Sequence, residues 1–183
     1  MRPTSGDNLC GSCDDYPFDA LWCAGWRRTE LKALLDRYKF DAVRSASLPL
    51  AELLDLVLPI VPPETVVAVV PTAPSHKRER GFDHMERVAR AFAKRRQLTY
   101  VPLLKRASNG TQHFRSRRER LVAAEGAFVF AAKSAPACVL LVDDILTTGA
   151  TLKTNARLLR EAGVETLYGA IIARQPLDAS ADL

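Results

Sequence analysis

Two adjacent carboxylates close an apolar run in the stretch VLLVDDILTTGATL, residues 139–152. Asp143 and Asp144 would be costly at the mouth of a buried strand unless they bind a partner. Because ionised carboxylates only accept hydrogen bonds, they suit sugar hydroxyls, or a Mg²⁺ ion that phosphate oxygens also coordinate. The structural alternative is a pair of acids that caps the amides of the following loop and helix.

The segment after the acids carries the features of a phosphate site: Thr147, Thr148, Gly149, Ala150 and Thr151. Backbone amides at the start of a helix attract anions, and the helix dipole adds to that attraction. Gly149 permits a backbone path that other residues resist, and the threonine hydroxyls can donate to the same oxygens. No G-K-[ST] follows, so this is not a Walker A loop.

Basic residues cluster in two further stretches: eight in residues 76–96 and six in residues 105–120, out of 26 in the chain. The formal net charge is +5. Such clusters favour an anionic partner, whether phosphate, pyrophosphate or nucleic acid, although a solvated basic surface would have the same composition.

Cysteines give a weaker signal. Cys10 and Cys13 form one C-x2-C pair, which is half of a tetrahedral zinc site. Cys23 is a candidate third ligand, but no second pair follows. We therefore predict no resident metal site, and we expect the pair to be dispensable for folding. Cys138 opens an apolar strand and is expected in the core.

The composition is that of a globular protein, with 48% hydrophobic and 26% charged residues over 183 positions. No apolar run approaches the roughly 20 residues that span a bilayer, and the first residues lack a signal-peptide layout. We expect a cytoplasmic protein with no membrane partner.

Helices and strands alternate along the chain. In the first half of the chain, the pattern predicts a helix from Thr29 and a second helix over 48–58, with Leu50, Leu53, Leu54 and Val57 inward. A strand over 66–70 and a loop over 75–81 follow. The next helix begins at Phe82 and is expected to bury Met85, Val88, Ala89 and Phe92. The second half predicts strands over 99–104, 138–142 and 166–173, loops over 105–112 and 143–149, a short charged helix over 114–123, and a helix over 150–162 that ends at Gly163.

This alternation predicts an α/β domain with an open, mostly parallel sheet flanked by helices. We assign residues 1–27 to a short irregular N-terminal arm and residues 28–183 to the domain. Ligands of such sheets bind beyond the carboxyl ends of the strands. The segments 71–81, 105–113 and 143–149 all leave such ends, so they are expected to converge.

The stretch VLLVDDILTTGATL resembles the 5-phosphoribosyl-1-pyrophosphate (PRPP) motif of type I phosphoribosyltransferases: an apolar strand, two acids, then T-T-G-x-T. RERGFDHMERVARAFA (78–93) and TQHFRSRRERLVAAEGAF (111–128) resemble two further segments of ComF-type, competence-associated members of that family. Longer members carry an N-terminal zinc-ribbon module, of which the Cys10/Cys13 arm would be a remnant.

The resemblance implies a role for each segment. Asp143 and Asp144 would be the catalytic pair on the ribose hydroxyls, and Thr147, Thr148, Gly149, Ala150 and Thr151 would hold the 5-phosphate. By the same analogy, Lys77, Arg78 and Arg80 would bind pyrophosphate. Lys105 and Arg106 would lie in a mobile loop, residues 105–113, that closes over the site, with Mg²⁺ entering together with PRPP.

The implied reaction transfers the 5-phosphoribosyl group from PRPP to a nitrogen nucleophile and releases pyrophosphate. Hypoxanthine–guanine enzymes place an aspartate where this chain has Thr147, so salvage of 6-oxopurines is disfavoured. The alternative is a non-catalytic PRPP-binding module in DNA uptake or recombination, whose basic loops contact single-stranded DNA or a competence protein. A scaffold with solvated loops is the third option, and a homodimer is left open.

Overall fold

The structure is a computed structural model that describes residues 17–40, 43–107 and 128–176. The strands are β1 (Ala20–Cys23), β2 (Val66–Val69), β3 (Thr99–Tyr100), β4 (Leu104–Arg106), β5 (Phe128–Phe130), β6 (Cys138–Leu146) and β7 (Thr166–Arg174). The α-helices are α1 (Thr29–Phe40), α2 (Ser47–Val57), α3 (Pro74–Arg80), α4 (His84–Arg96) and α5 (Ala150–Glu161). A 3-10 turn, Arg44–Ala46, leads into α2.

The main sheet has five strands in the order β1-β7-β6-β2-β3, and every neighbouring pair is parallel. This arrangement confirms the predicted open parallel α/β sheet. Its central strand, β6, is apolar on both faces, as expected of a strand that helices cover on both sides.

Each face of the sheet has its own apolar core. On β6, Leu140 and Val142 face the layer of α1, α2 and α4, which contributes Leu35, Tyr38, Leu50, Leu54, Met85, Val88 and Phe92. Val139 and Leu141 face the opposite layer, where α5 contributes Leu152, Ala156 and Leu159. The alternation follows from the two-residue period of a strand.

Most helix predictions are confirmed, with one correction inside α2. Leu50 and Leu54 are fully buried, whereas Val57, predicted inward, is 36% exposed. Val57 is the last residue of α2, and the backbone is already extended at Leu58. Because the helix ends there, the inward-facing row of Leu50 and Leu54 does not continue to Val57.

The first strand was not predicted. Residues 20–23, assigned to an irregular arm over 1–27, instead pair in parallel with residues 168–171 of β7. The four residues of β1, ALWC, are apolar, but the run is short and all four are only half-buried, so it lacks the alternation typical of a strand. The pair Cys10/Cys13 lies outside the described residues.

The predicted strand over 99–104 is divided between two sheets. Thr99 and Tyr100 pair with β2, while Leu104–Arg106 pairs antiparallel with Phe128–Phe130 in a separate two-stranded sheet. The polar segment expected from Lys105 therefore begins as a strand. Residues 108–127, which include the predicted helix over 114–123, lie outside the described residues.

In the part of the chain that the structure describes, no helix has both the length and the apolar character needed to cross a membrane.

Candidate functional site

A cavity of about 400 Å³ opens where β2 and β6 end. From β2 the sheet continues to β3 on one side and to β6 on the other, so the strand order reverses between β2 and β6. Such a switch point is where open α/β sheets bind ligands. Side chains reach the cavity from the end of α1, the segment after β2, α3, the first turn of α4, β4, the end of β6 and the first turn of α5.

The acidic pair lies within β6, not in the loop predicted over 143–149. Pairing with β2 stops at Val142, but pairing with β7 continues through Ile145 to Leu146. The strand continues because β7 supplies a partner that the local sequence does not reveal. As a result, the end of β6 projects beyond β2 and lines the cavity.

The side chain of Asp144 meets Lys39 at the end of α1 and His84 at the start of α4. Asp143 instead accepts a hydrogen bond from the backbone amide of Asp144. The two carboxylates of the motif therefore lie in different environments, although both border the cavity.

Asp144 is held by two side chains through one oxygen. Lys39 Nζ and His84 Nε2 each lie 2.6 Å from Asp144 Oδ2. The three side chains are largely buried, with exposures of 13% for Lys39, 15% for Asp144 and 5% for His84. Burial alone would raise the pKa of Asp144, but the hydrogen bond from His84 and the charge of Lys39 together lower it well below the usual range. Asp144 is therefore ionised at neutral pH.

Asp143 has the opposite tendency. Burial raises the pKa of Asp143 well above its usual value, and the charge of Asp144 raises it further. The backbone amide of Asp144, which donates to Asp143 Oδ1 at 2.9 Å, and the charge of Lys39 oppose the shift without cancelling it. The pair thus combines a firmly ionised carboxylate with one that binds a proton readily.

His84 also contacts the basic segment. Its Nδ1 lies 3.1 Å from Arg80 Nη1, and its backbone oxygen accepts a hydrogen bond of 2.6 Å from the Tyr38 hydroxyl. Asp83 caps α4 by accepting from the amide of Glu86. These contacts fix the start of α4 against the end of β6.

The predicted phosphate segment lies at the start of α5. Gly149 has φ 75° and precedes the helix, a left-handed conformation that favours glycine. Thr147, Gly149 and Thr151 line the cavity. Thr148 and Ala150 do not line it, and the Thr148 hydroxyl accepts a long hydrogen bond, 3.5 Å, from the amide of Ala150. The structure thus brings three of the five predicted residues to the cavity.

The predicted pyrophosphate loop is mostly a helix, α3, which corrects the loop assigned to 75–81. Pro74 lies in its first turn and Gly81, with φ 73°, ends it, so both signals of a short helix were present in the sequence. Arg80 lines the cavity, Lys77 forms a 2.5 Å ion pair with Asp83, and Arg78 is exposed away from it.

The two residues assigned to the mobile loop lie in β4 and differ from each other. Arg106 lines the cavity, donates from Nε to the backbone oxygen of Pro71 at 3.2 Å, and covers the ring of Phe128 at 4.7 Å. Lys105 is exposed and does not line the cavity. Because residues of paired strands are held in place, the Arg106 cation that lines the cavity lies on a rigid strand and not in a mobile loop.

Several cavity residues were missed: Lys39, Phe40, His76, Glu79 and His84. Lys39 and Phe40 end α1, far in sequence from the motif, and no local pattern connects them with Asp144. His84 had a local signal in the sequence, because it lies one turn after Arg80 and near the start of the helix predicted from Phe82. In the structure its imidazole is buried, so both ring nitrogens need partners.

Within the described ranges, no group of three or more His, Cys, Asp or Glu side chains could hold a metal ion. The carboxylates of Asp143 and Asp144 would hold Mg²⁺ only together with oxygens of a bound phosphate ligand, which is how Mg²⁺ is commonly retained.

Comparison with known proteins gives consistent matches. Residues 125–182 match the family model described as phosphoribosyl transferase domain. Competence protein ComFC of Streptococcus pneumoniae (strain ATCC BAA-255 / R6) is 31% identical over 135 residues, which cover 74% of this chain and 59% of that protein. The chain therefore spans a little over half the length of this relative.

Two solved structures share the fold. The allosteric regulatory enzyme of purine biosynthesis superposes with a TM-score of 0.50 at 21% identity, covering 70% of this chain and 26% of the other. Glutamine phosphoribosylpyrophosphate amidotransferase from B. subtilis gives 0.50 at 22% identity with the same coverage.

Proposed function

Since the chain belongs to the phosphoribosyltransferase family as a ComF-type protein, we propose that it binds PRPP in the cavity between β2 and β6. We further propose that it transfers the 5-phosphoribosyl group to a nitrogen nucleophile and releases pyrophosphate.

One observation carries this proposal: acidic side chains, the start of a helix and basic side chains all line a single cavity. The acids are Asp143 and Asp144, the helix start is Gly149 with Thr151, and Arg80 and Arg106 supply the positive charge. PRPP has the same three parts, namely ribose hydroxyls, a 5-phosphate and a pyrophosphate. The volume, about 400 Å³, lies within the usual range of small-molecule sites.

The residues would act by positioning and electrostatics. Asp144 is ionised and accepts hydrogen bonds from ribose hydroxyls, which fixes the sugar ring. The amides after Gly149 hold the 5-phosphate. Arg80 and Arg106 absorb the charge that develops on the departing pyrophosphate, where fixed cations in a water-poor site act most strongly. Mg²⁺, when bound with PRPP near Asp143 and Asp144, supplies further charge neutralisation on the pyrophosphate.

A titration and an activity assay separate binding from catalysis. Calorimetry with PRPP and Mg²⁺ should give saturable heat, and a ligand at 100 times its Kd should raise stability by about 2.7 kcal/mol. Pyrophosphate release against a panel of nucleobases then tests turnover. The absence of both heat and stabilisation would reject the PRPP site, whereas binding without turnover on any base would reject only the transferase.

A second candidate function is a PRPP-binding module without turnover that acts in DNA uptake or recombination. The name of the curated relative, a competence protein, favours it. Part of the basic surface of α4 is neutralised, because Arg90 pairs with Glu86 and Arg95 pairs with Asp55. If single-stranded DNA binds elsewhere on this surface, its affinity should fall steeply with salt, unlike that of PRPP in the cavity.

A further inference from the structure

A buried histidine joins the two sides of the cavity. His84 is 4% exposed, and both of its ring nitrogens have partners: Arg80 Nη1 at 3.1 Å from Nδ1, and Asp144 Oδ2 at 2.6 Å from Nε2. The chain Arg80–His84–Asp144 therefore runs from the proposed pyrophosphate side to the proposed ribose side.

The partners determine which ring nitrogen carries the proton. A guanidinium group only donates hydrogen bonds and stays protonated in proteins, so Nδ1 of His84 must accept from Arg80. The remaining nitrogen, Nε2, then carries the hydrogen and donates it to the Asp144 carboxylate. These roles give the ring one defined orientation, with Nδ1 toward Arg80 and Nε2 toward Asp144.

The surroundings leave this ring little freedom. The Tyr38 hydroxyl donates to the His84 backbone oxygen at 2.6 Å, and the two rings meet edge-on with centroids 6.0 Å apart. The neighbouring residue of α1, Lys39, contacts the same Asp144 oxygen that His84 does. Both contacts fall on Oδ2, so among the contacts between described residues Oδ1 is the Asp144 oxygen left for a ligand.

We infer that His84 is a positioning residue: it orients Asp144 for the ribose hydroxyls and links that carboxylate to Arg80 on the pyrophosphate side. This inference rests on the proposed function, because it assigns the ribose subsite to Asp144. Its consequence is that Arg80, His84 and Asp144 act as one unit, so their substitutions do not have additive effects on PRPP binding.

A purely structural histidine is the alternative, since a buried ring with two satisfied nitrogens would also stabilise the fold. Two isosteric substitutions separate the roles. In His84→Gln the side-chain amide nitrogen occupies the place of Nε2 and keeps the hydrogen bond to Asp144. In His84→Asn the shorter side chain matches the Nδ1 position and loses that bond.

The experiment measures Kd for PRPP with Mg²⁺ and the free energy of unfolding for both variants. We expect His84→Asn to raise Kd about tenfold or more, the equivalent of roughly 1.4 kcal/mol, while His84→Gln stays within about threefold of the parent. In an Asp144→Asn background, His84→Asn should have almost no further effect. Equal Kd for the two His84 variants, or additive effects with Asp144→Asn, would overturn the inference.

A second measurement keeps the test independent of PRPP. Nitrogen-15 NMR of the imidazole in the ligand-free protein should show the hydrogen on Nε2, and Arg80→Ala should perturb Nδ1. A ring protonated on Nδ1, or on both nitrogens, would refute the link regardless of ligand binding. A parent protein with the expected imidazole form but no PRPP affinity would instead refute the proposed function.

Discussion

Lys39 and Asp144 form a 2.6 Å ion pair that connects the end of α1 with the end of β6. Both side chains are largely buried, so the pair is not a surface contact weakened by water. It places a cation beside the carboxylate that we assign to the ribose hydroxyls. After the hydrogen bond from His84, the lowered pKa of Asp144 therefore owes most to a residue more than one hundred positions away.

Replacing Lys39 with Met should destabilise the fold, because Asp144 would keep its burial but lose its cation. Removing one partner of a buried pair costs about 3–5 kcal/mol, and the residual exposure here places our expectation nearer 2 kcal/mol. Denaturant unfolding measures it. Lys32→Met, on an exposed position of the same helix, is the control and should change stability little. Equal stabilities for the two variants would show that the ion pair contributes nothing.

Asp143→Asn should become more stable relative to the parent as pH rises. Below the ordinary pKa of 3.8, Asp143 is protonated in both the folded and unfolded states. As pH rises from there through the raised pKa of the folded state, the unfolded chain loses its proton first, so the parent loses stability. Asparagine has no proton to lose. Unfolding free energies of both proteins from pH 4 to 8 measure the difference.

Asp144→Asn should show the opposite dependence. The pKa of Asp144 is lowered in the folded state, so its stabilisation is present above the ordinary 3.8 and is lost as pH falls through the folded-state value. The variant should be less stable than the parent at neutral pH, by roughly 1.5–3 kcal/mol for a hydrogen bond to a charged group. That deficit should shrink in acid. Parallel pH profiles for the two Asn variants would contradict the assigned environments.

Thr151→Val should weaken PRPP binding more than Thr148→Val. Thr151 lines the cavity, whereas Thr148 lies outside its lining. Loss of one hydrogen bond to a charged phosphate costs roughly 1.5–3 kcal/mol, which is about 10- to 150-fold in Kd. Calorimetric titration of both variants gives the comparison, with thermal melting to verify that each remains folded. A larger loss in Thr148→Val would place the 5-phosphate on the other side of the loop.

Arg106→Ala should reduce PRPP affinity, and Lys105→Ala should leave it close to the parent value. Only Arg106 reaches the cavity, although both residues lie in β4.

Hydrogen exchange gives a second test: amides of β4 paired with β5 should be protected without ligand. Residues 108–113, the rest of the stretch expected to close over the site, lie outside the described residues, and we expect their amides to exchange more slowly once PRPP and Mg²⁺ are bound. Rapid exchange within β4 would return Lys105 and Arg106 to a mobile segment.

The sequence predicted those helices, strands and turns whose formation depends on neighbouring residues in the chain. The apolar start of β6 and the stripe of α4 were found because each element carries its own signal over several residues. Gly149 was identified for the same reason, since its backbone requirement is local.

The missed parts depend on distant partners. β1 and β5 are only four and three residues long, and each becomes a strand only through pairing with another segment. The extension of β6 through Asp143 comes from β7. Likewise, Lys39 enters the site because packing brings the end of α1 to Asp144, which residue spacing along the chain cannot show.

The position of β1 has a consequence for the order of assembly. Asp19 Oδ2 accepts from the amide of Leu167, 148 residues later, and Gly169 of β7 lies so close to Leu21 that a methyl group there would overlap it. Closing so long a loop is slow compared with forming neighbouring helices. During synthesis, β1 must therefore wait for its partner until β7 has left the ribosome. Among the described strands of this sheet, the first to be made can pair only after the last one is made, and until it does the edge of β7 is open to any other extended chain.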